Sequence, residues 1–384
     1  MRILVLSYGY GENEVSESLT SYKISKEIQK HCQVKILTKD NPTSSNIVNI
    51  KTRPFFKHTS YYRAIKPDYP EFIFKAYQYA QKHLNEFDII HHISPISLRY
   101  PNPLCNLGKP FIWGPVGGSV PYPKGFEAIE KRESFLQRMK KFDRLRLKWD
   151  PLMVNTLNKS TKIILSSKAT LSNLPNEHQE KAIVIPEGID ITNGLLESCF
   201  EKNYIFSSGR LVPYKAFDLL IKAFAKSFLP SDTKLLITGD GPEKKFLQKI
   251  IHYLGVNNRV ELLGKVSKKE NLKLMRNSLF CVFPALNEAF GHVNLEAMSM
   301  KKPIIVTDNG GPADIVKDGV TGFKIHSGST AQYIGALAKK LNILHGDKNL
   351  RNEMAEKAYK RIRKLYSWES IGIKYIKIYN EILK

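Results

Sequence analysis

The chain has 384 residues, 42% hydrophobic and 25% charged, which excludes a disordered polymer and exceeds what one core usually supports, so two domains are expected. Lys and Arg number 59 against 36 Asp and Glu, and the resulting +23 predicts anionic partners: phosphates, acidic lipid headgroups or nucleic acid. No apolar run approaches the ~20 residues of a membrane-spanning helix, and Cys32, Cys105, Cys199 and Cys281 lack paired spacing, so neither a disulfide framework nor a zinc site is indicated.

The opening MRILVLSYGYG reads as a buried strand running into a glycine loop. Its apolar run is too short for a secretory signal, and the chain is expected to be made and kept in the cytoplasm. Strands are predicted at Ile3–Ser7, Gln33–Thr38, Asp88–His91, Pro110–Trp113, Lys162–Ser166 and Ala182–Ile185, with helical patterns at Ser18–Lys30 and Pro70–Leu84. Lys51–Phe72 mixes aromatics, cations and prolines without a period and reads as a long, functional loop. The rhythm then restarts. Tyr204–Ser208, Lys234–Thr238, Val260–Leu263, Leu279–Phe283 and Pro303–Val306 read as strands, and Phe217–Ser227, Glu243–Leu254, Lys269–Asn277 and Val293–Met300 as helices. A last helix from about Ser367 to Lys384 carries Ile371, Tyr375, Ile378 and Ile382 on one face.

Alternating strands and helices, repeated twice, predict an α/β chain of two facing Rossmann-like lobes with a cleft between them. Residues 1–190 plus the helix 367–384 form the first lobe and 191–366 the second, with the change-over in Gly188–Asn203.

Two segments of the second half carry chemistry. In Asn287–Met298 (NEAFGHVNLEAM), Glu288 ends a loop, Gly291 opens a helix and Glu296 lies on it. Free N–H groups at a helix start favour an anion, and carboxylates accept hydrogen bonds from sugar hydroxyls. A capping glutamate and a surface glutamate are the bland alternative. In Ser207–Phe217 (SSGRLVPYKAF), Gly209 follows a strand and Arg210 and Lys215 sit five apart. A diphosphate leaving group needs such cations as its bond breaks, although two solvated loop cations would look the same.

Together these stretches resemble the family 4 retaining glycosyltransferases, which have the GT-B fold of two Rossmann lobes. The resemblance rests on the Glu288–Glu296 spacing, on SGRLVPYKAFDLLIKAF, ITGDGPEKKFLQ, VELLGKVSKKE and PADIVKDGVTGF in family order, and on the terminal YSWESIGIKYIKIYNEIL, the family's crossover helix. It implies that Arg210 and Lys215 bind the donor diphosphate with amides around Phe290 and Gly291. Glu288 would contact the transferred sugar, Glu296 the ribose, and Gly264 and Val266 the base. In the first lobe, Gly9 and Gly11 resemble the glycine loop beside donor phosphate and acceptor. His91 or His92 matches a histidine facing the sugar; alternation along the strand points one inward and one to the cleft, and His92 is favoured. Either histidine could instead be a satisfied core residue. Trp113–Gly118 (WGPVGG) resembles one subgroup's motif, with Gly117 and Gly118 in a loop near the acceptor or in a plain structural turn. Two departures stand out: His292 replaces an apolar residue and Glu187 replaces Asn.

The resemblance further implies retention of configuration without a metal and no cofactor, the nucleotide-sugar being a co-substrate. A hexosyl or N-acetylhexosaminyl transfer to a lipid-linked or cell-surface glycan precursor is expected, from a uridine or, second, a guanosine diphosphate sugar. Phe135, Met139, Phe142, Leu145 and Trp149 recur at helical spacing among cations. That pattern fits a helix on an anionic membrane, at the inner face of the plasma membrane, or an ordinary helix burying its stripe. Rival readings are a nucleic-acid or anionic-surface binder, for which no specific nucleic-acid motif is present, and a glucan synthase or phosphorylase of the same fold.

Overall fold

The run Arg2–Ser7 (β1) is buried from Ile3 onward, and a strand covered on both faces needs parallel neighbours with helices over them. In a computed structural model, which describes residues 1–14, 17–39, 44–53, 66–118, 120–139, 142–191, 201–326 and 328–384, β1 lies inside such a sheet. Its partners are β2 (Gln33–Thr38), β3 (Ile47–Asn49), β4 (Ile89–Ser94), β5 (Phe111–Val116), β6 (Lys162–Leu165) and β7 (Ala182–Val184). The order is β3-β2-β1-β4-β5-β6-β7, all pairs being parallel. Ile3 and Val5 pack with Ile24, Ile371 and Tyr375, while Leu4 and Leu6 pack with Phe72, Ala76 and Leu157. The period-2 alternation of β1 thus builds both cores.

A second sheet contains β8 (Tyr204–Ser208), β9 (Lys234–Thr238), β10 (Val260–Gly264), β11 (Cys281–Phe283), β12 (Ile304–Thr307) and β13 (Gly322–Ile325). Its order, β10-β9-β8-β11-β12-β13, repeats the first, again with parallel pairs. The chain is therefore α/β with two parallel-sheet Rossmann-like units. Contacts assign Met1–Ser119, Lys141–Gly188 and Trp368–Lys384 to the first unit, and Val120–Lys140 and Ile189–Ser367 to the second. The terminal helix Trp368–Ile382 returns to the first unit, where a side chain at Gly372 would sit 2.6 Å from Cβ of Glu27.

Several expectations change. Val120–Lys140 was expected in the first lobe but packs with the second, because Phe126 and Ile129 enter the core containing Ile205, Leu220 and Leu337. The stretch 135–149 is not one helix: Phe135–Met139 and Asp143–Trp149 are separate short helices in different units. Within the latter, Asp143 turns inward to pair with Arg99 at 2.7 Å, and Leu147 is the buried apolar residue. Phe142, Leu145 and Trp149 stay 53%, 52% and 79% exposed, so the reading of a stripe buried on the fold fails. The strands β4 and β5 run to Ser94 and Val116, past their expected ends. Of the loop expected at Lys51–Phe72, residues 54–65 lie outside the described residues, and Tyr69 already begins the helix Tyr69–Lys82. Residues 192–200 of the expected change-over also lie outside them.

Candidate active site

Ligands of open parallel sheets bind beyond the carboxyl ends of the strands. In the second unit three loops stack there. Gly239, after β9, has φ +128°, and a Cβ on it would lie 1.9 Å from the Gly209 carbonyl oxygen. The Gly209 N–H donates to Thr238 O at 3.0 Å, and the Gly239 N–H donates to Gly264 O at 2.8 Å. Only glycine permits this approach. Gly264 itself has φ +72°, and Val266 is half-buried two residues on.

From Gly209 the chain enters the 3-10 turn Pro213–Lys215 and then the helix Phe217–Lys226. The Leu286 N–H donates to Tyr214 O at 2.8 Å, joining this loop to the one after β11. That join brings the Lys215 ammonium onto the Glu288 carboxylate as an ion pair. Burial pulls the Lys215 ammonium down, but the Glu288 carboxylate and the Tyr214 phenol outweigh it, and the net shift is upward. Lys215 is therefore a fixed cation. It lines a pocket with Ser208, Phe217, Glu288, Asn294 and Pro312.

Gly291, at φ +88°, caps the helix His292–Ser299, and a Cβ there would meet Asn294 Nδ2 at 2.5 Å. The Asn294 amide donates to Gly291 O at 2.9 Å, while its Oδ1 is buried without a partner. The Gly311 N–H donates to Glu288 O at 2.9 Å. A Cβ on Gly311 would lie 2.4 Å from Phe290 Cα, so the backbone of the acidic loop rests on a second glycine turn. The Phe290 ring is buried and meets His292 edge-on at 5.0 Å.

Arg210 is exposed and donates to Tyr214 Oη at 3.0 Å. It is not part of the pocket lining, and neither is Glu296. Burial pushes the Glu296 carboxyl up against the pull of Lys268 and His292, which places Glu296 electrostatically beside the segment following β10. The structure thus brings Lys215, Glu288 and the helix start together, with Arg210 attached through Tyr214 and Glu296 toward the β10 side.

In the first unit, His91 and His92 lie in the middle of β4 and are both buried. His91 Nε2 lies 2.7 Å from Gly114 O and must donate, so Nδ1 accepts from Tyr379 Oη at 2.7 Å. Both nitrogens are engaged, and His91 has none left for an acceptor: it is a satisfied core residue. His92 Nε2 donates to Ser94 O at 3.0 Å, which leaves Nδ1 as a buried acceptor with no partner. Burial, first, drops His91 to about 3 and His92 to about 4, so both are neutral imidazoles. Gly9 O accepts from Ser7 Oγ at 2.6 Å. Gly11 lies two residues further along that loop. A Cβ on it would press Glu14 Cγ at 2.8 Å. Gly117 is buried, and Gly118, at φ +105°, accepts from Asn173 Nδ2 at 3.2 Å.

Sequence reasoning missed several residues. At the ends of β1 and β2, Tyr8 Oη bonds Asp68, Thr52 Oγ1 donates to Asp68 at 2.8 Å, and the Lys39 ammonium lies 3.9 Å over the Tyr8 ring. No motif marks such a network, because its members lie 16 to 60 residues apart. Tyr214 and Asn294 sat within the quoted motifs but carried no charge to draw notice. Among the described residues, no three His, Cys, Asp or Glu side chains converge as a metal-ligand set.

Comparison with known proteins fits this geometry. Residues 198–361 match the family described as Glycosyl transferases group 1. An uncharacterized glycosyltransferase of Methanocaldococcus jannaschii, MJ1178, is 32% identical over 225 residues, 58% of this chain and 60% of that protein. The N-acetyl-alpha-D-glucosaminyl L-malate synthase of Bacillus anthracis is 32% identical over 165 residues, 43% of this chain and 42% of that protein. The chain thus spans between two fifths and three fifths of these relatives. The structure of Anabaena Alr3699/HepE in complex with UDP superposes with a TM-score of 0.67 at 19% identity, covering 99% of this chain and all of the other. The second unit is therefore similar to the group 1 glycosyltransferase family over residues 198–361, within a chain whose two parallel-sheet units match the GT-B fold.

Proposed function

We propose that the chain is a retaining, metal-independent glycosyltransferase of the subgroup with the Trp113–Gly118 motif. It moves a hexosyl or N-acetylhexosaminyl group from a nucleotide diphosphate sugar to a hydroxyl of a lipid-linked or cell-surface glycan precursor. Uridine diphosphate is the favoured nucleotide and guanosine diphosphate the second choice; no cofactor beyond this co-substrate is used. The observation that carries the reading is the half-buried Lys215–Glu288 pair beside the start of the helix His292–Ser299. Lys215, with Arg210, takes the negative charge that grows on the diphosphate as the anomeric C–O bond breaks. Glu288 accepts hydrogen bonds from hydroxyls of the sugar, and Glu296 from those of the ribose. The departing phosphate oxygen takes the proton of the incoming acceptor hydroxyl, whose oxygen bonds the anomeric carbon on the same face. His92, neutral with a bare Nδ1, supplies an acceptor for a sugar hydroxyl in the first unit. The complex of the Anabaena protein with UDP supports the choice of nucleotide.

The test is calorimetric titration of UDP, GDP and ADP, followed by transfer from a donor panel with and without EDTA. NMR of the anomeric proton then assigns configuration. Binding of none of these nucleotides, or an inverted product, refutes the proposal, and loss of turnover in EDTA refutes its metal independence.

A second reading concerns location, that of a cytoplasmic enzyme on the inner face of the plasma membrane. No helix among the described residues is long and apolar enough to cross a membrane. In the first unit, however, Phe142, Leu145, Trp149 and Leu152 are each more than half exposed at helical spacing, beside Arg144 and Lys148. Such a face suits an anionic bilayer. Trp149→Glu is expected to lower co-sedimentation with phosphatidylglycerol vesicles at least fivefold; equal recovery of both proteins would discard the idea.

A further inference from the structure

The second unit contains a further carboxylate outside the roles given to Arg210, Lys215, Glu288 and Glu296. Glu133, on the segment Val120–Lys140, is 8% exposed. Its Oε1 accepts the Tyr214 N–H at 2.7 Å and Tyr122 Oη at 2.6 Å. Tyr214 immediately precedes Lys215, and its carbonyl takes the Leu286 N–H at 2.8 Å. Asn309 Nδ2 then donates both to Leu286 O at 2.7 Å and to Pro121 O at 2.9 Å, and Pro121 adjoins Tyr122. The bonds close into a ring: Glu133, Tyr214, Leu286, Asn309, Pro121, Tyr122 and back to Glu133. Both loops that present the Lys215–Glu288 pair are members of it.

The flanks of Glu133 are fixed independently. The Arg132 guanidinium pairs with Asp218 at 3.3 Å and Glu243 at 3.4 Å and lies 4.5 Å over the Phe246 ring. Phe126 and Ile129 anchor the other side in the core. A carboxylate held this way is a rigid acceptor aimed at one loop amide, and a charged acceptor makes a stronger hydrogen bond than a neutral one. We infer that Glu133 is a positioning residue: it fixes the Tyr214 peptide and thereby sets where the Lys215 ammonium stands relative to Glu288 and the donor diphosphate. This rests on the reading of Lys215 proposed above. Positioning acts chiefly on the bond-breaking step, since a small misplacement of a preorganised charge lowers turnover more than ground-state binding.

The experiment compares the full-length chain with Glu133→Ala, which removes the acceptor, and Glu133→Gln, which keeps a carbonyl oxygen in its place. Amide hydrogen exchange over residues 210–217 and the kcat and donor KM of sugar transfer are measured on each, together with Tm. The expected result is at least tenfold faster exchange at the Tyr214 amide in Glu133→Ala. Its kcat falls at least tenfold with donor KM within threefold of wild type, and Glu133→Gln returns both to within threefold. Unchanged exchange, unchanged kcat, or a Gln variant as impaired as Ala overturns the inference. Should Glu133→Ala not fold, Tyr122→Phe removes one bond of the ring and is expected to lower kcat about threefold with faster Tyr214 exchange; no change there overturns it as well. A wild-type chain without transferase activity would refute the proposed function and leave the exchange arm to decide the role of Glu133.

Discussion

The two units share a strand order yet treat the carboxyl ends of their strands in opposite ways. In the first, polar groups are consumed by the fold. His91 is saturated by Gly114 and Tyr379, Asp68 by Tyr8 and Thr52, and both histidines are held neutral. In the second, burial does not neutralise the central cation, because Glu288 stands against Lys215 and raises it. A buried charge survives only with a partner: the first unit pairs Asp68 with Lys39 at 3.6 Å within its tyrosine network and keeps the His92 Nδ1 as a neutral acceptor, whereas the second keeps the Lys215–Glu288 pair in the lining of its pocket. Under the proposed function, the neutral acceptor of the first unit serves a hydroxyl and the charged pair of the second serves phosphate and sugar.

The largest expected effect tests the charged end. Lys215→Ala should lower kcat/KM for sugar transfer about 1,000-fold, roughly 4 kcal/mol of transition-state stabilisation. Nucleotide affinity by calorimetry should fall by less than tenfold. Lys215→Arg keeps the charge and serves as the control for the unpaired Glu288 that alanine would leave. If the alanine variant retained a tenth of wild-type turnover, the contrast between the units would have no catalytic meaning.

How much of this was legible in the sequence follows from the range of the interactions. Lys215, Glu288 and Gly291 lie in short motifs whose spacing fixes their local geometry, so they could be named from residues alone. The two parallel-sheet lobes followed from the alternation of strands and helices, whereas the strand order within each sheet is set by pairings between distant segments. The three- and four-residue edge strands Ile47–Asn49 and Gly322–Ile325 were too short for a pattern. The helices Thr330–Gly346 and Lys348–Leu365 also escaped notice; the second buries Ala355, Ala358 and Tyr359 within a heavily charged run. Long-range facts were invisible. Nothing in KRESFLQRM announces that Glu133 reaches an amide 81 residues away, or that Phe126 belongs to the second core. The choice between His91 and His92 was posed by strand alternation, but it is the bond from Tyr379, 288 residues on, that makes His91 a core residue.

The neutral end of the comparison is tested by acid. His91 and His92 fall from 6.5 to about 3 and about 4, so between those values the unfolded chain binds more protons than the folded one. Their contribution to stability is complete above pH 6.5 and is lost as pH falls toward 3. The urea midpoint should therefore decline from pH 7 to pH 4, and His91→Phe should flatten part of that decline. Tyr379→Phe leaves His91 Nδ1 without its donor and should cost about 1–3 kcal/mol at pH 7. A midpoint independent of pH across this interval would show that the histidines are not held neutral by the fold.

The smallest effect concerns Glu296, whose carboxyl burial raises above its ordinary value of 4.5 despite Lys268 and His292. For an acid raised in the folded state the sign is the reverse of the histidine case. Between 4.5 and the raised value the folded chain binds more protons, so stability falls as pH rises through that window, and the ionised carboxylate costs stability at pH 7. Glu296→Gln keeps the shape and removes the charge. It should raise Tm at pH 7, and the gain should shrink toward zero as pH falls to 4.5 and below. The same variant should weaken UDP binding if the carboxylate holds the ribose, since an amide is a poorer acceptor for hydroxyl donors. Gain of stability with loss of affinity is the pattern of a group kept for its ligand rather than for the fold. A Tm unchanged at every pH would mean that Lys268 and His292 fully offset the burial, and unchanged UDP affinity would remove Glu296 from the donor site.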